Sequence, residues 1–257
     1  MKQDGQSKAT ILTYHSIDDS GSVISTSRFI FERQMRELHD RGYRVLPLRT
    51  VADALRTRQA LPDKVVALTF DDGFQNFRTT AFPILEKYGF PSTVFLVSGY
   101  AGKTNDWDDN PPNIPRQEML SWQEVEELSR SGVEFGAHTV SHRDLTAITH
   151  ADAKREMADS KAEIEARIGR EVTQFAYPYG TCTGPVKHIA SELFDAAYGT
   201  RLGRATADGD MHSIERVDTF YLKSERIFGS IDLGSFDLFL RFRQTLRNIK
   251  RIAAGIS

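Results

Sequence analysis

Val65-Val66-Ala67-Leu68-Thr69-Phe70-Asp71-Asp72-Gly73 is the stretch from which the fold can be read. Its first six residues are mostly apolar and partly β-branched, the pattern of a strand buried on both faces, as in a parallel sheet. The run stops at two adjacent carboxylates and a glycine. Unpaired carboxylates are costly to bury at the end of a core strand, so a cation, hydrogen bonds or open solvent must offset them. Fold and chemistry meet at residues 71 and 72.

On both sides of this stretch, strand-like and helix-like runs alternate along the chain, which predicts an α/β architecture with mostly parallel strands. Strands are predicted at 9–14, 43–48, 65–70, 92–97, 133–137, 172–176, 196–200 and 214–217. Helices are predicted at 28–41, 51–58, 76–88, 122–131, 150–168 and 185–194. Ser121 with Glu124 has the spacing of a capping box, and Gly42, Gly89 and Gly132 read as helix stops. Residues 99–116, rich in Gly, Asp, Asn and Pro, predict a long loop over one mouth of the domain. Neither a repeat nor a linker interrupts the pattern, so one domain over 1–257 is expected.

The composition narrows the function. The 257 residues are 40% hydrophobic and 26% charged, an ordinary globular balance. A net charge of −2 gives no overall field toward nucleic acid, and no nucleic-acid partner is expected. The single cysteine, Cys182, excludes an internal disulfide and fits a reducing compartment. The first ten residues lack the apolar centre of a signal peptide, and no run approaches the length of a membrane span. The expectation is a cytoplasmic protein or one peripheral to the inner face of a membrane. Removal of a leader would make it an exported one.

Four distinctive groups share one topological address. His15, Asp71-Asp72, His138 and Tyr177-Pro178-Tyr179 each follow the C-terminal end of a predicted strand. In parallel α/β folds that edge is where side chains from separate strands converge. Within His138-Thr139-Val140-Ser141-His142 two imidazoles lie four residues apart, and a helical turn would place both on one face. Taken singly, the histidine pair reads as solvated surface, and Asp-Gly reads as turn or cap chemistry. Together they supply two imidazoles and a carboxylate with room for water, the layout of a catalytic zinc site. The same trio also forms the facial triad of non-haem iron oxygenases, but the second aspartate and the parallel pattern speak against that reading.

Thr69-Phe70-Asp71-Asp72-Gly73, His138-Thr139-Val140-Ser141-His142 and Phe175-Ala176-Tyr177-Pro178-Tyr179-Gly180, in this order, resemble the motifs of the polysaccharide deacetylases, the family 4 carbohydrate esterases. The resemblance implies a single-domain distorted (β/α) barrel of about seven parallel strands. It also implies removal of acetyl groups from N-acetylated amino sugars of an oligo- or polysaccharide. It gives Asp72, His138 and His142 to a divalent metal, Zn2+ first, with Co2+, Ni2+ or Mn2+ as alternatives. Asp71 becomes the general base, and the division of roles between the two aspartates comes from the resemblance alone. The backbone N–H of Tyr179 is implied as an oxyanion donor. Tyr177, Pro178 and Trp107 are expected at the substrate, with plain packing of the mouth as the alternative.

The sequence departs from the family pattern at two places. The third motif usually carries an arginine where this chain has Ala176, and Arg216 is the candidate to orient Asp71 instead. The usual late Leu-x-His is also not evident. Leu12-Thr13-Tyr14-His15-Ser16 resembles the branch with permuted motif order, which includes the poly-N-acetylglucosamine deacetylases. His15 is therefore the expected general acid and His212 its rival. A hydrolase of another N-acyl amide or of an O-acetyl ester, and a degenerate carbohydrate-binding protein, are the other readings.

Residues 236–254 predict a basic amphipathic helix with Phe239, Phe242, Leu246, Ile249 and Ala253 along one stripe. Such a helix could close the bottom of the barrel or make peripheral contact with anionic lipid.

Overall fold

Seven parallel strands, adjacent in space in the order of the sequence, close on themselves. They are β1 (Lys8–Tyr14), β2 (Val65–Phe70), β3 (Thr93–Leu96), β4 (Glu134–Ala137), β5 (Gln174–Ala176), β6 (Ala196–Leu202) and β7 (Ile214–Asp218). Each pairs in parallel with the next, and β7 pairs with β1. The expected α/β barrel of about seven strands is what the chain forms. The structure, a computed structural model, describes residues 8–108 and 110–253. Residue 254, the end of the predicted terminal helix, lies outside the described residues.

The register of the first pair sets the site. Thr10 to Tyr14 lie opposite Val66 to Phe70, so His15 and Asp71 leave the barrel side by side. The Asp71 N–H donates to the Tyr14 carbonyl at 2.9 Å. Every residue of β2 is buried, as its sequence requires.

Helices α1 (Arg28–Asp40), α2 (Leu48–Arg56), α3 (Phe82–Tyr88), α4 (Trp122–Arg130), α5 (His150–Ile168), α6 (Gly184–Leu193), α7 (Glu225–Phe228) and α8 (Gly234–Ala253) accompany the strands. Helix α1 buries Phe31, Met35 and Leu38 on one face, beside Gln34. The capping box at Ser121 and Glu124 forms as predicted.

Three predicted elements differ. The strand at 43–48 shrinks to Arg44–Val45, because Pro47 has no N–H for a ladder and leads directly into α2, where Leu48, Val51, Ala52 and Leu55 are buried. The single helix at 76–88 divides into a π-helical turn, Phe77–Ala81, and α3. Pro83 cannot donate to the carbonyl four residues before it, and the wider turn absorbs that gap.

The third difference is the terminal helix. α8 buries Phe236 and Leu240, and the expected stripe is divided: Phe239 packs against the core, whereas Phe242 and Ile249 are exposed together with Leu238. Polar anchors turn the helix this way. Arg204 pairs with Asp237 at 2.7 Å, and Gln244 Oε1 accepts from the Leu202 N–H at 2.9 Å. The helix thus packs beside the end of β6.

Candidate metal centre and catalytic pocket

Asp71 and Asp72 are carried past the end of β2 by a change of backbone hand: φ is 72° at Asp72 and 88° at Gly73. Aspartate is among the few side chains that enter this region readily. The left-handed φ favours glycine at 73, and a Cβ there would also press on Leu96 Cδ1 at 2.5 Å. Along a regular strand, two successive carboxylates would face opposite sides. Here both line one pocket of about 180 Å³, with His15, Trp107, His138, His142, Tyr177 and Tyr179.

His138 follows β4, and its Nδ1 lies 2.7 Å from the Ala176 carbonyl. A carbonyl only accepts, so Nδ1 carries the proton and Nε2 presents a lone pair. That lone pair faces Asp72 Oδ1 at 3.3 Å, and His142 Nε2 lies 3.2 Å from the same oxygen. Two acceptors held this close repel unless a cation or a proton lies between them. The three ligand atoms all fall within 4.8 Å of one another. The donor set fits a divalent cation bound by three side chains, with the His138 ring held from behind by a backbone carbonyl.

Burial pushes the Asp72 carboxyl up, but hydrogen bonding and positive charge at the imidazoles, where a cation would stand, outweigh it and hold it well below the usual carboxylate range. Burial pushes His142 down, toward the neutral form that ligates. Its Nδ1 is buried and has no hydrogen-bond partner among the described residues. Stacking fixes the ring instead: Trp107 lies against it at 4.3 Å between centroids and Tyr179 meets it edge-on at 4.8 Å.

The segment from His138 to His142 is an open loop, not the helical turn that would align an i, i+4 pair. Thr139 and His142 have φ of 68° and 58°. Glu156 on α5 supplies the reason, since one of its oxygens accepts from the N–H groups of both Val140 and Ser141 at 2.9 Å. The His142 N–H donates to Thr139 Oγ1 at 2.9 Å. Sequence reasoning missed Glu156, which looks like any solvent-facing acid on an amphipathic helix.

Arg216, on β7, reaches Asp71 with two parallel bonds of 2.7 Å, and both residues are buried. Its Nε donates to the Gly199 carbonyl at 3.0 Å. The guanidinium also lies over the rings of Phe95 and Tyr198, which share a core cluster with Ala176. Burial pushes the Asp71 carboxyl up, and the guanidinium more than cancels it, leaving the group below its ordinary value. A fork-shaped donor thus meets the carboxylate from β7, where the small Ala176 provides none.

His15 Nε2 lies 4.0 Å from Asp71 Oδ2 and lines the pocket. His212 does not: its Nε2 is 3.0 Å from the Phe194 carbonyl, and its own carbonyl accepts from the Tyr177 hydroxyl at 2.9 Å. Pro178 is buried in a short 3-10 turn with Tyr179 and Gly180, and it shapes that turn without lining the pocket. Cys182 Sγ sits 3.8 Å from Ser213 Oγ, and burial pushes its thiol up, away from a nucleophilic thiolate.

The polysaccharide deacetylase family model matches residues 58–194, more than half of the chain, including both aspartates, both histidines and the tyrosine motif. The chain belongs to the polysaccharide deacetylase family. His15 and Arg216 lie outside the matched span, so the two departures seen in the sequence are also the parts supplied from its flanks. Deacetylases of this family are metal-dependent enzymes, and the Asp72, His138 and His142 cluster is the candidate site for the ion.

Among relatives, YxkH of Bacillus subtilis (strain 168) is 29% identical over 231 residues, covering 90% of this chain and 78% of that protein. The poly-beta-1,6-N-acetyl-D-glucosamine N-deacetylase of Escherichia coli (strain K12) is 30% identical over 247 residues, and the match covers 80% of this chain but 36% of that enzyme. Among solved structures, IcaB from Ammonifex degensii aligns with a TM-score of 0.73 at 25% identity, covering 90% of this chain and 97% of that one. The Streptococcus pyogenes deacetylase PplD, in complex with acetate, aligns at 0.73 with 27% identity, covering 83% and 92%.

Proposed function

We propose that this protein removes acetyl groups from N-acetylglucosamine units of a glycan, with zinc as the ion held by Asp72, His138 and His142. One observation carries the reading: an Asp-His-His cluster with converging lone pairs lies beside a second aspartate clamped by Arg216. The E. coli relative, a poly-beta-1,6-N-acetyl-D-glucosamine N-deacetylase, supports a poly-N-acetylglucosamine substrate. We take the chain as one catalytic domain.

A bound divalent ion supplies Lewis acidity, polarising the acetyl carbonyl and acidifying water. Asp71, kept ionised by Arg216, accepts the proton of the attacking water. His15, beside Asp71, gives a proton to the departing amine. The backbone N–H of Tyr179 holds the developing oxyanion. Trp107 and Tyr179 wall an apolar space of a size for a small acyl group, and their stacking fixes His142.

Acetate release from N-acetylglucosamine oligomers and polymer, measured with zinc-loaded protein, tests this. Wild type should release acetate and Asp71→Asn should be silent. His15→Ala should keep its metal and lose about 10²–10⁴-fold in rate, the usual share of a general acid. A fully active His15→Ala would remove that histidine from the mechanism.

We also propose a peripheral membrane contact through α8. Leu238, Phe242 and Ile249 are 68%, 61% and 56% exposed, and Arg241 and Lys250 flank them. An apolar stripe beside basic residues suits an anionic bilayer. Co-sedimentation with phosphatidylglycerol vesicles is expected for wild type and is expected to vanish in Phe242→Ser/Ile249→Ser. Equal binding by both would exclude this face.

A further inference from the structure

We infer that Arg247 on α8 is a positioning residue for the Tyr179 backbone, an inference that rests on the oxyanion role given to Tyr179 above. Arg247 Nη1 donates to the Thr200 carbonyl at 2.7 Å, and Nη2 donates to Thr200 Oγ1 at 3.3 Å. The Thr200 hydroxyl donates in turn to the Tyr179 carbonyl at 3.4 Å. A relay of donors therefore runs from the terminal helix, through a residue of the pocket wall, to the turn beside the metal ligands.

That turn needs a brace. Tyr179 has φ 58° and ψ −1°, and Gly180 follows at φ 71°, giving two left-handed residues in succession. For a residue with a side chain this conformation costs about 1–2 kcal/mol and persists only where its surroundings impose it. One side of the turn is held by the Gly180 N–H donating to the Tyr177 carbonyl at 2.8 Å. Thr200 holds the other. It packs so closely that a Cβ on residue 180 would lie 2.1 Å from its Oγ1. Fixing the Tyr179 carbonyl fixes the 179–180 peptide plane and so helps hold Tyr179 in the left-handed conformation that sets where its own N–H points. Without the guanidinium, the Thr200 hydroxyl can rotate away and the turn loses this restraint.

Arg247 itself touches neither the ligand atoms nor the pocket. Its effect should therefore appear in the chemical step, not in substrate affinity. It also lies outside the span matched by the family, on a helix whose sequence reads as a basic amphipathic segment with no mark of a link to the site.

The test compares wild type with Arg247→Ala, Arg247→Lys and Thr200→Val. In the zinc-loaded enzyme, Arg247→Ala should lower kcat about 10-fold, the scale of a small misplacement, with KM changed less than about twofold. Arg247→Lys should recover part of the loss by keeping the bond to the Thr200 carbonyl. Thr200→Val, close in shape, should behave like Arg247→Ala, and the double variant should be no worse than the poorer single one. Hydrogen–deuterium exchange, read without substrate, should be faster at 179–181 in Arg247→Ala and unchanged at 71–73 and 138–142. Unchanged exchange at 179–181, or a KM effect with kcat intact, overturns the inference. Faster exchange at 179–181 in a protein whose wild type releases no acetate upholds the brace while refuting the deacetylase reading.

Discussion

Arg216→Met is expected to cost both stability and turnover. Arg216 and Asp71 form a buried bidentate pair, 1% and 2% exposed. Removing one partner of such a pair costs about 3–5 kcal/mol, because the remaining charge is left without compensation. For a chain of this size the melting temperature should fall by roughly 10 °C. Turnover should drop at least about 10²-fold, since the base loses both its orientation and its charge partner. Lysine should not rescue it, because an ammonium cannot reproduce the two parallel bonds.

The pH dependence gives a second reading of the same variant. In the wild type Asp71 titrates below its ordinary value, so the stability of the pair is present above the unfolded-state pKa and is lost as pH falls through the folded one. With methionine at 216, the largest influence opposing burial is gone and that pKa rises. The acid limb of the rate profile should therefore move to higher pH. An unchanged acid limb together with an unchanged melting temperature would show that Arg216 does not set the state of the base.

His138→Ala and His142→Ala should each remove both the metal and the activity. An open site with three protein ligands has no reserve, and two remaining donors hold a divalent ion poorly. The two variants should differ in their side effects. His138→Ala leaves the Ala176 carbonyl without its donor, whereas His142→Ala removes the ring against which Trp107 stacks. Elemental analysis after gel filtration should find the ion in wild type and only traces in both variants. Retention of the ion by either would place it elsewhere.

Much of this site is legible in the sequence because strands announce their ends. β2 is an unbroken apolar run that halts at the aspartates, and His15 and His138 stand in the same relation to β1 and β4. Once the strands are parallel, those positions must share one edge of the barrel. The conformations between them are less legible. The His138 loop takes its shape from Glu156 on α5, and nothing local marks that acid as a partner. Arg216 is separated from Asp71 by 145 positions in sequence. Its part could be guessed only from the gap left at Ala176.

The inward face of α8 shows the same limit. Its hydrophobic spacing groups Phe242 and Ile249 on one stripe that could meet either the barrel or a bilayer; Asp237 and Gln244 fix the helix by polar bonds to Arg204 and Leu202, and those two apolar residues are exposed. Periodicity reports which residues share a face. It does not report which face a distant anchor will turn inward.

Anomalous diffraction at the zinc edge, from crystals of zinc-loaded protein, is the most direct test of the metal assignment. One peak is expected, about 2.0–2.2 Å from an Asp72 oxygen and from Nε2 of His138 and His142. A peak bound by other residues, or none at these three side chains in protein that carries zinc, would contradict it.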